Sequence, residues 1–210
     1  MSATALEAAL ADIDTVFNGF ASPAETGCER CFLPAETAYL RMPYTRVPAD
    51  PVRRFVFKVP DHFEDHAAVM RRLLPQTAHA MADGSMEGIG RGRHGLSRVD
   101  WRAWPAEQAV AVEAFVLTWW DDTLGTPEPP YPVHDVFETC AMILGDMTPL
   151  LDRFRTGPVV AALRSWLAAH APARLRARGE FGLAVRAELL ALPYGDRWAH
   201  PYWTSPSATN

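Results

Sequence analysis

Residues 105–125 read PAEQAVAVEAFVLTWWDDTLG. Proline stands at the first helical position, where its missing N–H group costs nothing, and glycine closes the run. Between them Val112, Phe115, Val116 and Trp119 recur three and four apart, the spacing that gathers side chains on one face of a helix. This predicts a long helix from Pro105 through Leu124 with an inward apolar stripe, and it sets the class as all-α.

The flanking sequence carries the same signature. Toward the N-terminus, Thr4-Ala5-Leu6-Glu7 is a capping box followed by Leu6, Leu10, Ile13 and Phe17 at helical spacing. Ser22-Pro23-Ala24-Glu25 reads as a second capping box, and Gly27 ends its short turn. Pro34 to Met42 and Asp50 to Val59 read as short helices, each stopped by a proline. Asp61 reads as the N-cap of a longer helix toward Ala82, kinked at Pro75. Arg54-Phe55-Val56-Phe57-Lys58-Val59 is the best strand candidate, being rich in β-branched and aromatic residues.

Gly84 to Ser97 holds five glycines, four of them (Gly88, Gly90, Gly92 and Gly95) at alternate or near-alternate positions, and reads as a loop. Toward the C-terminus, Pro127-Glu128-Pro129-Pro130-Tyr131-Pro132 is a stiff connector. Helices are expected at Val133 to Leu144, Pro149 to Arg155 and Pro158 to His170, with two more at 172–178 and 181–192. The tail from Pro193 carries Tyr194, Trp198, Tyr202 and Trp203 and is expected to pack along the helical body, with disorder over 205–210. The expected architecture is one compact multi-helix domain over 1–204, with the connector 126–132 as the candidate point of subdivision. A faint echo between 51–60 and 149–158 keeps a HEAT-like array of helical pairs as the alternative.

Composition narrows the function classes. The chain has 210 residues, 49% apolar, and a net charge of −5. That is ordinary for a protein with a real core, and it speaks against nucleic acid as a partner, because counterion release needs concentrated Lys and Arg. Lys58 is the single lysine, which fits coding by a GC-rich bacterial genome. Met1 to Phe20 includes Glu7, Asp12 and Asp14 and no cationic cluster, so no secretory leader is expected. No stretch reaches the ~18 uncharged apolar residues of a membrane span. A cytoplasmic setting is expected, in which cysteines stay reduced or bind metal.

Cys28-Glu29-Arg30-Cys31 is the most compact chemical constraint in the chain. Two sulfurs in this spacing can meet one tetrahedral ion, with zinc the expected cofactor, or form a redox dithiol. A second pair of ligands is then required. The expected pair is His62 with His66, four apart and so stacked on one helix face, with His134 and Cys140 as alternatives. Glu64 and Asp65 between those histidines are the candidate catalytic bases. The other candidate groups bind a ligand or partner: Arg91, Arg93 and His94 in the glycine-rich segment, and Trp119, Asp121 and Asp122 at the end of the central helix.

Three functions follow. The first is a helical binding or adaptor protein with its N-terminal loop pinned by structural zinc. The second is a metal-dependent enzyme, hydrolytic or tailoring a small molecule, whose open coordination position activates water. The third is a metal-free interaction protein with a groove lined by Trp101, Trp104, Trp119, Trp198 and Trp203. The partner is an unidentified small molecule or protein.

Overall fold

The computed structural model describes residues 4–90 and 93–153. These residues form helices α1 (Ala5–Val16), α2 (Pro34–Arg41), α3 (Ala49–Val56), α4 (His66–Ala82), α5 (Ala106–Gly125), α6 (Val133–Leu144) and α7 (Thr148–Leu151). Single 3₁₀ turns lie at Pro60–His62, Gly95–Arg98 and Trp101–Ala103. The described residues contain no strand, and they form an all-α fold as the sequence predicts. None of the described helices is long and apolar enough to cross a membrane. The helices expected beyond residue 153, the aromatic tail and the segment 205–210 lie outside the described residues, as do residues 154–158 of the echo between 51–60 and 149–158.

α5 is the axis of the fold. It packs on α1 along one side and α6 along another, and α7 rests against both α5 and α6. Its Val112, Phe115, Val116, Trp119 and Trp120 are all at least 98% buried. Burial of side chains this large contributes about 2 kcal/mol each, which is why the central stripe fixes the arrangement. Each of two indoles also makes a hydrogen bond that orders a later segment. Trp120 Nε1 donates to the Leu150 carbonyl at 3.0 Å, and Trp101 Nε1 donates to the Ile143 carbonyl at 2.8 Å.

α4 is the second organising helix, touching α1, α2 and α3. It runs through Pro75 as one helix. Two of its polar side chains anchor the segment between α2 and α3. Gln76 exchanges two hydrogen bonds with the backbone of Val47, and the Arg72 guanidinium donates to the carbonyls of Met42 and Thr45. Unpaired backbone groups in so compact a turn would be costly, and these two side chains satisfy them.

Two expectations fail locally. The capping box at Thr4 forms, with both reciprocal hydrogen bonds. The one at Ser22 does not start a helix, because residues 21–33 make turns joined by irregular backbone. Similarly, α4 begins at His66, not after Asp61. Pro60–His62 closes a separate 3₁₀ turn, Phe63 is extended, and Asp65 caps α4 by accepting the Ala68 N–H at 2.9 Å. Phe63 decides this. It stacks on Phe32 at 5.6 Å and meets Phe55 edge-on at 6.1 Å, a position that a continuous helix from Asp61 would deny it.

Candidate metal centre

The loop that carries the paired cysteines is built around a tight turn. The N–H groups of Cys31 and Phe32 both donate to the Cys28 carbonyl, at 2.8 and 3.0 Å. The turn aims the backbone N–H groups of Arg30 and Cys31 at the Cys28 sulfur. Gly27 precedes it at φ +67°, and a Cβ there would lie 2.6 Å from Thr37 Cγ2. Glycine is thus required twice over, by backbone conformation and by space.

Phe32 and Glu25 bring this loop to the histidine. Phe32 is 4% exposed and packs at 4.7 Å from Phe55 as well as on Phe63, the residue that follows His62. Glu25 is fully buried. Its carboxyl oxygens accept the N–H groups of Gly27 (2.8 Å), Glu64 (3.2 Å) and Asp65 (3.3 Å). One side chain therefore fastens the backbone just before Cys28 to the backbone just after His62.

The outcome is a cluster of three donors. The sulfurs of Cys28 and Cys31 and a ring nitrogen of His62 all lie within 4.8 Å of one another, and all three residues are half-buried. Cys31 Sγ is 3.4 Å from His62 Nδ1. Bonds of 2.0–2.3 Å to a tetrahedral ion imply donor–donor edges of about 3.3–3.8 Å, and the separation of Cys31 from His62 falls in that range. The hydrogen bond from His62 and the two backbone N–H groups lower the Cys28 pKa from 9.0 to about 7, against a smaller opposing effect of burial. The thiolate, the form that binds metal, is thus well populated at neutral pH.

His66 does not join this cluster. Because α4 starts at His66 itself, His62 and His66 are not one turn apart on a shared helix. The His66 ring stacks on Phe63 at 5.4 Å, is 7% exposed, and has no hydrogen-bond partner at either nitrogen. Burial, with the charge of Arg98, lowers its pKa to about 4. Of the two candidate bases, Asp65 is committed to capping α4, while Glu64 is exposed and accepts from the Thr26 hydroxyl at 3.3 Å.

The alternative ligands lie elsewhere. His134 is in the first turn of α6, with Nε2 3.5 Å from Asp135 Oδ1. Cys140 is fully buried on α6, its thiol directed at the Val116 carbonyl, and burial raises its pKa strongly. Neither belongs to the three-donor group.

The proposed ligand-binding residues are likewise dispersed. Arg91 is outside the described residues. Arg93 is exposed, but His94 is fully buried, caps the turn at Gly95 by accepting the Leu96 N–H at 3.2 Å, and stands edge-on to Phe57. Asp121 pairs with Arg153 at 3.3 Å, and Asp122 is exposed. Trp119 stacks with Phe115 inside the core. Trp101, Trp104 and Trp119 are at most 6% exposed, so they are core residues and line no groove; Trp198 and Trp203 lie outside the described residues.

The sequence reading missed Glu25, whose signal was an acid three residues before the first cysteine. It also missed a cleft of about 690 Å³ that shares Cys31 with the cluster and is bordered by Arg30, Arg53, Arg54 and Lys58. His79, solitary in sequence, meets Asp14 of α1 at 2.9 Å, on the rim of a separate cavity of about 750 Å³. Comparison with protein-family models, with curated proteins and with solved structures gives no match for this chain.

Proposed function

We propose that the chain is a helical binding protein whose N-terminal loop is held by a metal ion, with zinc as the ion and Cys28, Cys31 and His62 as its ligands. One observation carries this reading: two sulfurs and an imidazole nitrogen from distant segments converge within 4.8 Å. Borderline-soft zinc suits a mixed sulfur and nitrogen set, which would not select calcium or magnesium. The buried Glu25 supports the same reading, because groups behind the ligands are what hold a metal site's geometry.

The test is metal analysis of full-length protein purified without a histidine tag. About one zinc per chain is expected, with loss of the metal in Cys28→Ser and in His62→Ala. A wild-type content near zero under non-chelating conditions would refute the reading.

A second reading is a metal-dependent enzyme. It is favoured by the count of donors, since three protein ligands leave one position of a tetrahedral ion for water or substrate. Glu64, exposed two residues after His62, is then the candidate base. Glu64→Gln would keep the metal and the fold and abolish turnover; a metal-loaded variant with undiminished turnover excludes Glu64 from that role.

A further inference from the structure

The cleft that borders the three-donor cluster is cationic above an aromatic floor. Cys31, a member of the cluster, forms part of its wall, and Phe32 and Phe57 supply apolar surface. Arg53 and Arg54 at its edge are already engaged. Arg54 pairs with Glu36 and Asp50 and donates to the Cys31 carbonyl at 3.4 Å, while Arg53 pairs with Asp50 and, more distantly, Glu87. Arg30 and Lys58 have no carboxylate partner among the described residues. Glu87, largely exposed, is the only acid among the described residues that lines the cleft.

Two cations without a carboxylate partner, an aromatic floor and Cys31, one member of the donor group, therefore line one open space. We infer that this cleft binds a small organic anion, a carboxylate or phosphate on an apolar body, whose charged group takes the fourth position on the metal ion. The inference rests on the metal reading above and extends it to a ligand class. Arg30 and Lys58 supply long-range attraction and hydrogen bonds to the anionic group. Phe32 and Phe57 bury the apolar body, and the ion provides the directional contact that three protein ligands leave unfilled.

Cobalt(II) separates this inference from the reading beneath it. The full-length protein is loaded with cobalt, and sulfur-to-metal charge transfer in the near ultraviolet reports that the cysteines hold the ion. The visible d–d bands then report the fourth ligand. Titration with benzoate and with phenyl phosphate is expected to change the d–d bands with a saturable midpoint, and the comparison of the two assigns carboxylate or phosphate. Benzyl alcohol, a neutral analogue, is expected to leave the bands unchanged.

In the double variant Arg30→Gln/Lys58→Gln, on exposed or half-buried positions, the midpoint should rise about tenfold or more with the charge-transfer band intact. A charge-transfer band together with d–d bands indifferent to both anions overturns the inference and leaves the metal reading standing. Equal midpoints in wild type and double variant, or an equal response to benzyl alcohol, also overturn it. Failure of cobalt to produce any charge-transfer band overturns both.

Discussion

Glu25 Oε2 accepts the backbone N–H of Asp65, forty positions away in the chain, at 3.3 Å. The same carboxyl group holds Gly27 and Glu64, so the two segments that deliver the cysteines and the histidine share one buried acceptor. Its removal leaves three part-buried N–H groups short of a partner, and an unsatisfied buried donor costs about 1–3 kcal/mol. Glu25→Gln keeps one acceptor oxygen and the side-chain volume. It is expected to destabilise the protein by about 1–3 kcal/mol in urea unfolding and to weaken zinc binding about 10–100-fold in competition with a chromophoric chelator. Unchanged zinc affinity would show that Glu25 does not position the ligands.

Gly27 is expected to tolerate no side chain. Alanine at φ +67° costs about 1–2 kcal/mol from backbone strain alone, and its Cβ would press on Thr37 of α2 at 2.6 Å. Gly27→Ala should lower the melting temperature and reduce zinc affinity together, because the displaced residue adjoins Cys28. A melting temperature equal to wild type would contradict the tight approach between this loop and α2.

The two classes of thiol should be chemically distinct in metal-free protein. Cys28 has its pKa near 7 chiefly through His62, so its alkylation rate in excess chelator is expected to rise through a midpoint near pH 7. His62→Ala should move that midpoint upward, toward the ordinary value of 9.0. Cys140, buried with a raised pKa, should react only on unfolding. Mass spectrometry of tryptic peptides reads each site. A midpoint unmoved by His62→Ala would remove His62 as the cause.

His66 should govern part of the acid sensitivity. Its folded pKa is about 4 against an ordinary 6.5, because burial disfavours the charged ring and Arg98 adds repulsion. The unfolded chain therefore takes up this proton first as the pH falls. The contribution of His66 to stability is complete above pH 6.5, declines between 6.5 and about 4, and changes little below that. His94, lowered to about 3 by burial and by His66, acts in the same direction. His66→Phe preserves an aromatic ring over Phe63 without the nitrogens. It should flatten the loss of melting temperature between pH 6.5 and 4 in chelator-treated protein. Parallel curves for variant and wild type would contradict the assignment.

The helices were legible where local signals agreed. α5 carries its proline start, its glycine stop and its apolar stripe within one segment, and nothing elsewhere competes with them. The start of α4 was not, because Asp61 and Asp65 are equally good caps by local chemistry. Packing of Phe63 between Phe32 and Phe55 selected Asp65, and the expected pairing of His62 with His66 disappeared with that choice. His62 was legible as a candidate ligand by residue type, while the spacing that suggested it, four residues from His66, is not a helical turn in the fold. Glu25 was not legible, since its three acceptor contacts depend on two loops meeting, and its local context reads as a helix cap. His79 and Asp14 illustrate the same limit: their contact exists only through the packing of α1 on α4.

Cys31 and His62 are 31 positions apart, and α2 and α3 lie wholly between them. A shared ion would thus close a ring around both helices, and chain-entropy arguments give a ring of this length about 3.7 kcal/mol of restraint on the unfolded polypeptide. The ring excludes α5 and α6, the hub of the molecule. All three ligands also precede α4 and α5 in the chain. Chelation of the finished protein would then loosen one end of it while the central helices stayed packed.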